Sequence, residues 1–132
     1  MDMSILAPLL ITAIVAIIGW FIAHQLSMSR DLKNKRTDLK VKYLIEAYRK
    51  LENISHREDP NMQDFETAIA DIQLLGSQKQ VELAQNIAKE FAKTKCADMD
   101  DLLKDLRQNL RKVLGLEELS SQDLTIVRWK SN

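Results

Sequence analysis

Residues 5–23 read ILAPLLITAIVAIIGWFIA, nineteen consecutive residues without a charged side chain. As an α-helix this segment spans about 28 Å, which matches the hydrocarbon thickness of a bilayer. Pro8 falls in the first turn, where its missing N–H costs little, and Trp20 falls at the far end, where interfacial aromatic residues are common. The segment therefore predicts a transmembrane helix.

Two alternatives for this segment fit the sequence less well. A cleaved signal peptide carries basic residues ahead of its apolar stretch, whereas the only charged residue there is Asp2. A buried helix of a small soluble domain rarely contains so long a run without charge. We therefore expect one membrane span rather than a signal peptide or a core helix.

The charges of the chain are unevenly distributed, although nineteen basic residues balance nineteen acidic ones. Residues 30–52 hold eight basic and four acidic side chains, whereas residues 53–132 hold eleven and fourteen. The positive-inside rule then places the residues after 24 in the cytoplasm and the short N-terminal tail outside. The single cysteine, Cys96, is typical of a reducing compartment. The membrane-interface residues of this arrangement are Trp20, Arg30, Lys33, Lys35, Arg36 and Lys40.

The basic stretch has two interpretations that are compatible with each other. It is a topology signal next to the span, or it also binds anionic lipid head groups, at about 1 kcal/mol per basic residue near the surface. Nucleic-acid binding is not expected, because the net charge is zero and no aromatic residue is interleaved before Tyr43.

The rest of the chain is predicted to be helical. No Gly or Pro occurs between Trp20 and Asp59, so the span continues into one long helix from about residue 5 to residue 55. Its apolar residues from Val41 to Ile54 are spaced three and four apart, which is typical of one helix face. Three shorter helices follow, and we expect them to form a small antiparallel cytoplasmic bundle with this face. The fold class is all-α, divided into residues 1–29 (tail and span), 30–58 (basic helix), 59–115 (bundle) and 116–132 (tail).

Capping residues set the expected ends of the short helices. Asn61 caps a helix over Met62–Leu75, which Gly76 ends as a C′ residue. Ser77 and Gln80 form a capping box for the next helix. Asp98 caps the last helix, which Gly115 closes.

The C-terminal tail leaves three alternatives open. Residues 124–129 form a short β-prone run, which packs on the helices, offers an edge to another subunit, or brings Trp129 to the membrane surface. Packing on the helices is the simplest of these, and Leu116 and Leu119 are expected to fold back on the last helix.

The sequence shows no set of catalytic, metal-binding or cofactor-binding residues. His24 and His56 are far apart and match no metal spacing, and the three glycines form no phosphate loop. His56 is expected to interact with a helix C-terminus. We therefore predict no enzymatic activity, no cofactor, no metal and no small-molecule substrate.

Association is better supported than chemistry. Thr12, Ala16, Gly19 and Ala23 recur at spacings of four, three and four, so small side chains share one face of the span. Such a face allows a second helix to approach closely. The expected partners are therefore the lipid bilayer and either a second copy of the chain or another protein.

Two stretches resemble a group of small bacterial single-span proteins. These are RDLKNKRTDLKVKYLIEAYRKLE at residues 30–52 and DIQLLGSQKQVELA at residues 71–84. The resemblance implies a bacterial inner (cytoplasmic) membrane, but no activity and no site residues.

The sequence therefore predicts a membrane-anchored interaction or regulatory module without catalytic activity. The alternative is a small membrane-active effector, toxin-like or exclusion-like, that oligomerises through its span. A third possibility, an enzyme, has the least support because no nucleophile–base pair or metal-ligand set is visible.

Overall fold

The computed structural model describes residues 2–129; Met1 and residues 130–132, which belong to the predicted N-terminal and C-terminal segments, lie outside the described residues. Regular structure within that part of the chain is entirely α-helical. The four helices are α1 (Met3–Ile54), α2 (Met62–Leu75), α3 (Gln78–Thr94) and α4 (Asp100–Val113). The predicted all-α class and the long first helix are confirmed.

The chain divides into two compact units, Met1–Asp38 and Leu39–Asn132, with the boundary inside α1. In the first unit the described residues are helical from Met3 onward and nearly all exposed. An 18-residue window of α1 has a mean hydropathy of 2.6 and is 0% buried, so α1 is long and apolar enough to cross a membrane.

The second unit has one hydrophobic core, to which all four helices contribute. The end of α1 contributes Leu44, Leu51 and Ile54 of its predicted apolar face, together with Ala47, which was not predicted. The other helices and the α3–α4 link supply Phe65, Ala68, Ile69, Ile72, Ala84, Ile87, Met99, Leu102, Leu103, Leu106 and Leu110. Amphipathic helices with apolar residues three and four apart bury such stripes against each other.

Helix α2 begins and ends at the predicted residues. The Asn61 side chain accepts hydrogen bonds from the N–H groups of Gln63 and Asp64. Gly76 ends the helix, but its φ is −72°, not the left-handed value of a C′ glycine. The structure requires glycine there for another reason: a Cβ atom would lie 2.5 Å from the Ile72 carbonyl oxygen.

The predicted capping box of α3 is present, and it also links α3 to α4. Gln80 donates to the Ser77 hydroxyl from its backbone, and its side-chain Oε1 accepts from the Ser77 N–H at 2.9 Å. The same fully buried side chain donates through Nε2 to Asp105 Oδ2 of α4 at 3.1 Å. Lys79 Nζ pairs with the other oxygen of Asp105 at 2.9 Å.

Helix α4 begins one residue later than the Asp98 cap implies. Met99 occupies the N-cap position without a side-chain bond, while Asp98 Oδ1 accepts from the Asp100 N–H at 2.9 Å. At the other end Gly115 has a φ of +70°, the left-handed conformation predicted for a residue that closes a helix. The Asp98 carboxylate therefore still binds an N–H at the start of α4, although Asp98 is not the N-cap residue.

Candidate membrane segment and interaction surface

The predicted helix-association residues lie on an exposed surface of α1. Thr12, Ala16, Gly19 and Ala23 are all exposed, and a Cβ atom added to Gly19 would meet nothing within 4 Å. The Thr12 hydroxyl donates to the Pro8 carbonyl at 2.8 Å, so its polar group is satisfied within its own helix. This is the arrangement that an apolar environment requires of a hydroxyl.

The predicted membrane-interface residues are exposed as well. Trp20, Arg30, Lys33, Lys35 and Arg36 lie in the first unit, and Lys40 lies in the second. The Trp20 ring stacks on the His24 ring, with centroids 5.5 Å apart. Among the described residues, the side-chain ion pairs within 4 Å involve none of these basic groups. Their ammonium and guanidinium groups are therefore available to solvent or to anionic partners.

The structure reveals a site that the sequence did not assign, where the tail lies along α4 and the end of α1. Arg111 donates to the Glu117 carbonyl at 2.9 Å. One helical turn earlier, Arg107 donates to the carbonyls of Gln122 at 2.7 Å and Asp123 at 3.0 Å. The tail thus returns along α4 in the opposite direction, held by its main chain.

Beyond these contacts the tail alternates between the core and solvent. Leu124 and Ile126 pack against the hydrophobic core, and Arg128 is half-buried. Val127 and Trp129 are 79% and 90% exposed. This period of two is that of an extended chain with one face covered. The prediction that the tail packs on the helices is confirmed for Leu124 and Ile126.

The expectation for Leu116 and Leu119 is confirmed only in part. Both line a cavity with Arg107 and Arg111 of α4, but they are 50% and 37% exposed and do not join the core. Within the described residues the β-prone run forms no strand; it has no partner strand there and packs on the helices.

Arg128 binds the C-terminal end of α1. Its guanidinium donates to the Ser55 carbonyl at 2.8 Å, to the Glu52 carbonyl and to the Glu52 carboxylate at 3.3 Å. Carbonyls at a helix C-terminus lack intrahelical partners and carry a partial negative charge, so a cation stabilises them. Since the last turn of α1 contains no basic residue, Arg128 provides this charge from the tail.

His56 lies beside the tail, in a left-handed conformation with φ of 57°. Its Nε2 is 3.2 Å from Asp100 Oδ1, so α1 and α4 are connected at the place where the tail crosses. A cavity of about 270 Å³ is lined by His56, Asp100, Leu124, Ile126 and Arg128. His56 lies two residues after the end of α1, where the sequence predicted an interaction with the helix dipole, and it has in addition a direct partner on α4.

Two pKa values are displaced near these contacts. Burial raises the pKa of Tyr48, while the positive charge of Arg107 partly opposes this effect and Glu52 adds to it. The hydrogen bond and charge of Asp105 raise the pKa of Lys79. Tyr48 therefore belongs to the same polar surroundings as the tail contacts, since its neighbours Arg107 and Glu52 both bind the tail.

The remaining polar residues form no group with metal-ligand geometry in the part of the chain that the structure describes. Cys96 is exposed and free. Asp98, Asp100 and Asp101 lie at the start of α4, where acidic residues complement the helix dipole.

Comparison of the chain with protein-family models, with curated proteins and with solved structures finds no match. The resemblance to small bacterial single-span proteins therefore stays a prediction.

Proposed function

We propose that this protein is a membrane-anchored interaction or regulatory module without catalytic activity, with its N-terminus outside and its helical unit in the cytoplasm. The proposed membrane is a bacterial inner membrane, which the chain crosses once, and the proposed arrangement of the cytoplasmic helices is an antiparallel bundle. One observation carries it: the uncharged helical window is 0% buried, while the second unit has a complete core of its own. An apolar helix that its own fold leaves uncovered is stable when lipid covers it.

The charge pattern supports the orientation. All the lysines and arginines near the span lie on its C-terminal side, and those predicted at the interface are exposed. The same side chains are suited to anionic lipid head groups, which attract polybasic segments beside a span.

The single exposed Cys96 makes the orientation testable with the natural chain. A membrane-impermeant maleimide is expected to label Cys96 only after permeabilisation of bacterial spheroplasts. A matched variant, Cys96→Ser with Asp2→Cys, is expected to be labelled in intact spheroplasts. Labelling of Cys96 without permeabilisation contradicts the orientation, and recovery of the chain in the carbonate-soluble fraction contradicts the anchor.

The interaction role requires a separate test. The span is replaced by an unrelated single span, and proteins bound to the tagged chain are isolated from membranes in mild detergent. We expect the same stoichiometric partner with both spans, because the helical unit supplies the binding surface. Loss of the partner when the natural span is replaced would contradict a passive anchor.

The exposed stripe of Thr12, Ala16, Gly19 and Ala23 favours the second candidate, a membrane-active effector that oligomerises through this face. In that case overexpression dissipates the membrane potential, as read with a voltage-sensitive dye. Gly19→Leu is expected to abolish the effect by blocking close approach, whereas Ile18→Leu preserves it. An unchanged potential at high expression contradicts this candidate.

A further inference from the structure

We propose that the surface between the end of α1 and α4 is a binding groove for an extended peptide, and that residues 122–128 are the copy of that peptide built into the chain. The inference rests on the proposed interaction function and names its binding surface. Its partner is a protein segment in extended conformation with two apolar residues at alternate positions, followed two residues later by arginine.

The first support is the mode of attachment of the tail. Arg107 holds the carbonyl oxygens of two consecutive residues, Gln122 and Asp123, and makes no bond to their side chains. Main-chain contacts of this kind accept any extended chain in the correct register, and the alternate side chains then provide specificity. The groove therefore has the two components of a peptide-binding site.

The second support is that inward-facing and outward-facing residues alternate along residues 124–128. Leu124 and Ile126 pack against the core, whereas Thr125 and Val127 face solvent. The inward positions are apolar and the outward positions make no contact with the core. A foreign segment needs to match only the inward positions.

The third support is the chemistry around Arg128. Its guanidinium meets the Glu52 carboxylate and two main-chain carbonyls at the end of α1, so three acceptors converge at this position. A planar guanidinium with several donors satisfies them together. An acidic or apolar residue at the same position would leave the carbonyl of the buried Ser55 without this donor, so we expect such segments to bind more weakly.

The fourth support is the connection that joins the tail to α4. Residues 117–121 are exposed and have no regular structure, and Gly115 provides a left-handed turn before them. Release of the tail therefore breaks the contacts of residues 122–128 without unwinding α4. A competing segment can replace the tail while the four helices stay folded.

The test uses the full chain in detergent, with a site-specific protease sequence substituted at residues 118–121. After cleavage and removal of the released tail, a fluorescein-labelled peptide of residues 121–132 is titrated and its anisotropy measured. We expect saturable binding by the cleaved chain and little binding by the uncleaved chain, because the attached tail competes at a high effective concentration. A chain that ends at Glu118 serves as a second acceptor, and circular dichroism verifies that both are helical.

Peptide variants decide the specificity. Arg128→Ala in the peptide is expected to weaken binding about tenfold or more, because a charge-assisted set of hydrogen bonds is lost. Thr125→Ala is the matched control and is expected to change binding less than about twofold, since surface positions contribute little. No binding by a cleaved chain that is still helical overturns the proposal, as does equal binding of the Arg128→Ala peptide. Neither result depends on the membrane, so failure of the anchor remains distinguishable.

Discussion

The two parts of helix α1 differ in apolar content and have opposite surroundings. Between residues 5 and 23 nearly every side chain is apolar, yet Ile17 is 64% exposed. Between residues 41 and 54 the apolar residues are fewer, yet Leu51 is 0% exposed. The first part is apolar all round, while the second has one apolar face that packs in the core of the helical unit.

This difference teaches that the distribution of apolar residues around a helix indicates what covers it. A helix with one apolar face is satisfied by neighbouring helices of the same chain. A helix that is apolar on every side needs a solvent that is apolar on every side, which a bilayer provides. Matched substitutions in the two parts test this distinction.

The largest difference is expected for truncation of an apolar side chain. Leu51→Ala removes a fully buried side chain and is expected to lower the free energy of unfolding of the helical unit by about 3 kcal/mol. Ile17→Ala is expected to leave that value unchanged. Thermal unfolding in detergent, followed by circular dichroism, measures both, and equal effects would contradict the division into two units.

Polar side chains sharpen the comparison. Gln80→Met leaves the Ser77 N–H without its acceptor and Asp105 Oδ2 without its donor, and is expected to cost about 2 kcal/mol of stability. Thr12→Val in the exposed part removes a bond within one helix and is expected not to affect the helical unit. Chemical denaturation of the two variants gives the comparison; a stable Gln80→Met variant would mean that this link between α3 and α4 is dispensable.

The glycines provide a smaller contrast. Gly76→Ala places a Cβ atom against the Ile72 carbonyl oxygen and is expected to cost about 1.5 kcal/mol, because backbone must move. Gly19→Ala meets open space and is expected to be neutral for the unfolding of the helical unit. A midpoint shift in denaturant for Gly19→Ala, but not for Gly76→Ala, would reverse the assignment of packed and open surfaces.

The smallest effect on stability is expected from the ionisation of Tyr48 at alkaline pH. Because burial raises the pKa of Tyr48 in the folded state above its ordinary value of 10.0, the neutral phenol is favoured by folding. Its contribution is fully present below pH 10 and is lost as the pH rises through the folded-state pKa. Tyr48→Phe is therefore expected to reduce the loss of stability above pH 10. The parent chain is the control, and an equal loss of stability in both proteins at successive alkaline pH values would contradict the assignment.

Much of the fold was predictable because it depends on local rules. The spacing of apolar residues in α1 and the caps Asn61 and Ser77 act within a few residues of the chain, so the sequence alone indicated the helices. The role of Gly76 was predicted at the correct residue for the wrong reason. Glycine is needed at this position because a Cβ atom would lie against the Ile72 carbonyl oxygen. A C′ pattern in the sequence does not reveal this contact.

The site on the tail was not predictable in the same way. Arg128 binds Glu52 and Ser55, which lie 76 and 73 residues away in sequence. The alternation of Leu124, Ile126 and Arg128 was a visible signal, since a period of two with a cation indicates an extended segment with one covered face. Because period alone does not distinguish pairing with a strand from packing on helices, the sequence left an edge for another subunit open beside the packing that the structure shows.

The main-chain attachment at Arg107 and Arg111 has an evolutionary consequence. Since these guanidinium groups bind carbonyl oxygens, residues 117, 122 and 123 can be exchanged for others without loss of the contact. Insertion or deletion between residues 123 and 124 has a different effect, because it shifts the apolar side chains relative to the bound carbonyls. Among descendants of this chain, we therefore expect the length of the chain at the junction of residues 123 and 124 to be retained. The identities of residues 117, 122 and 123, whose carbonyls the arginines bind, are expected to vary.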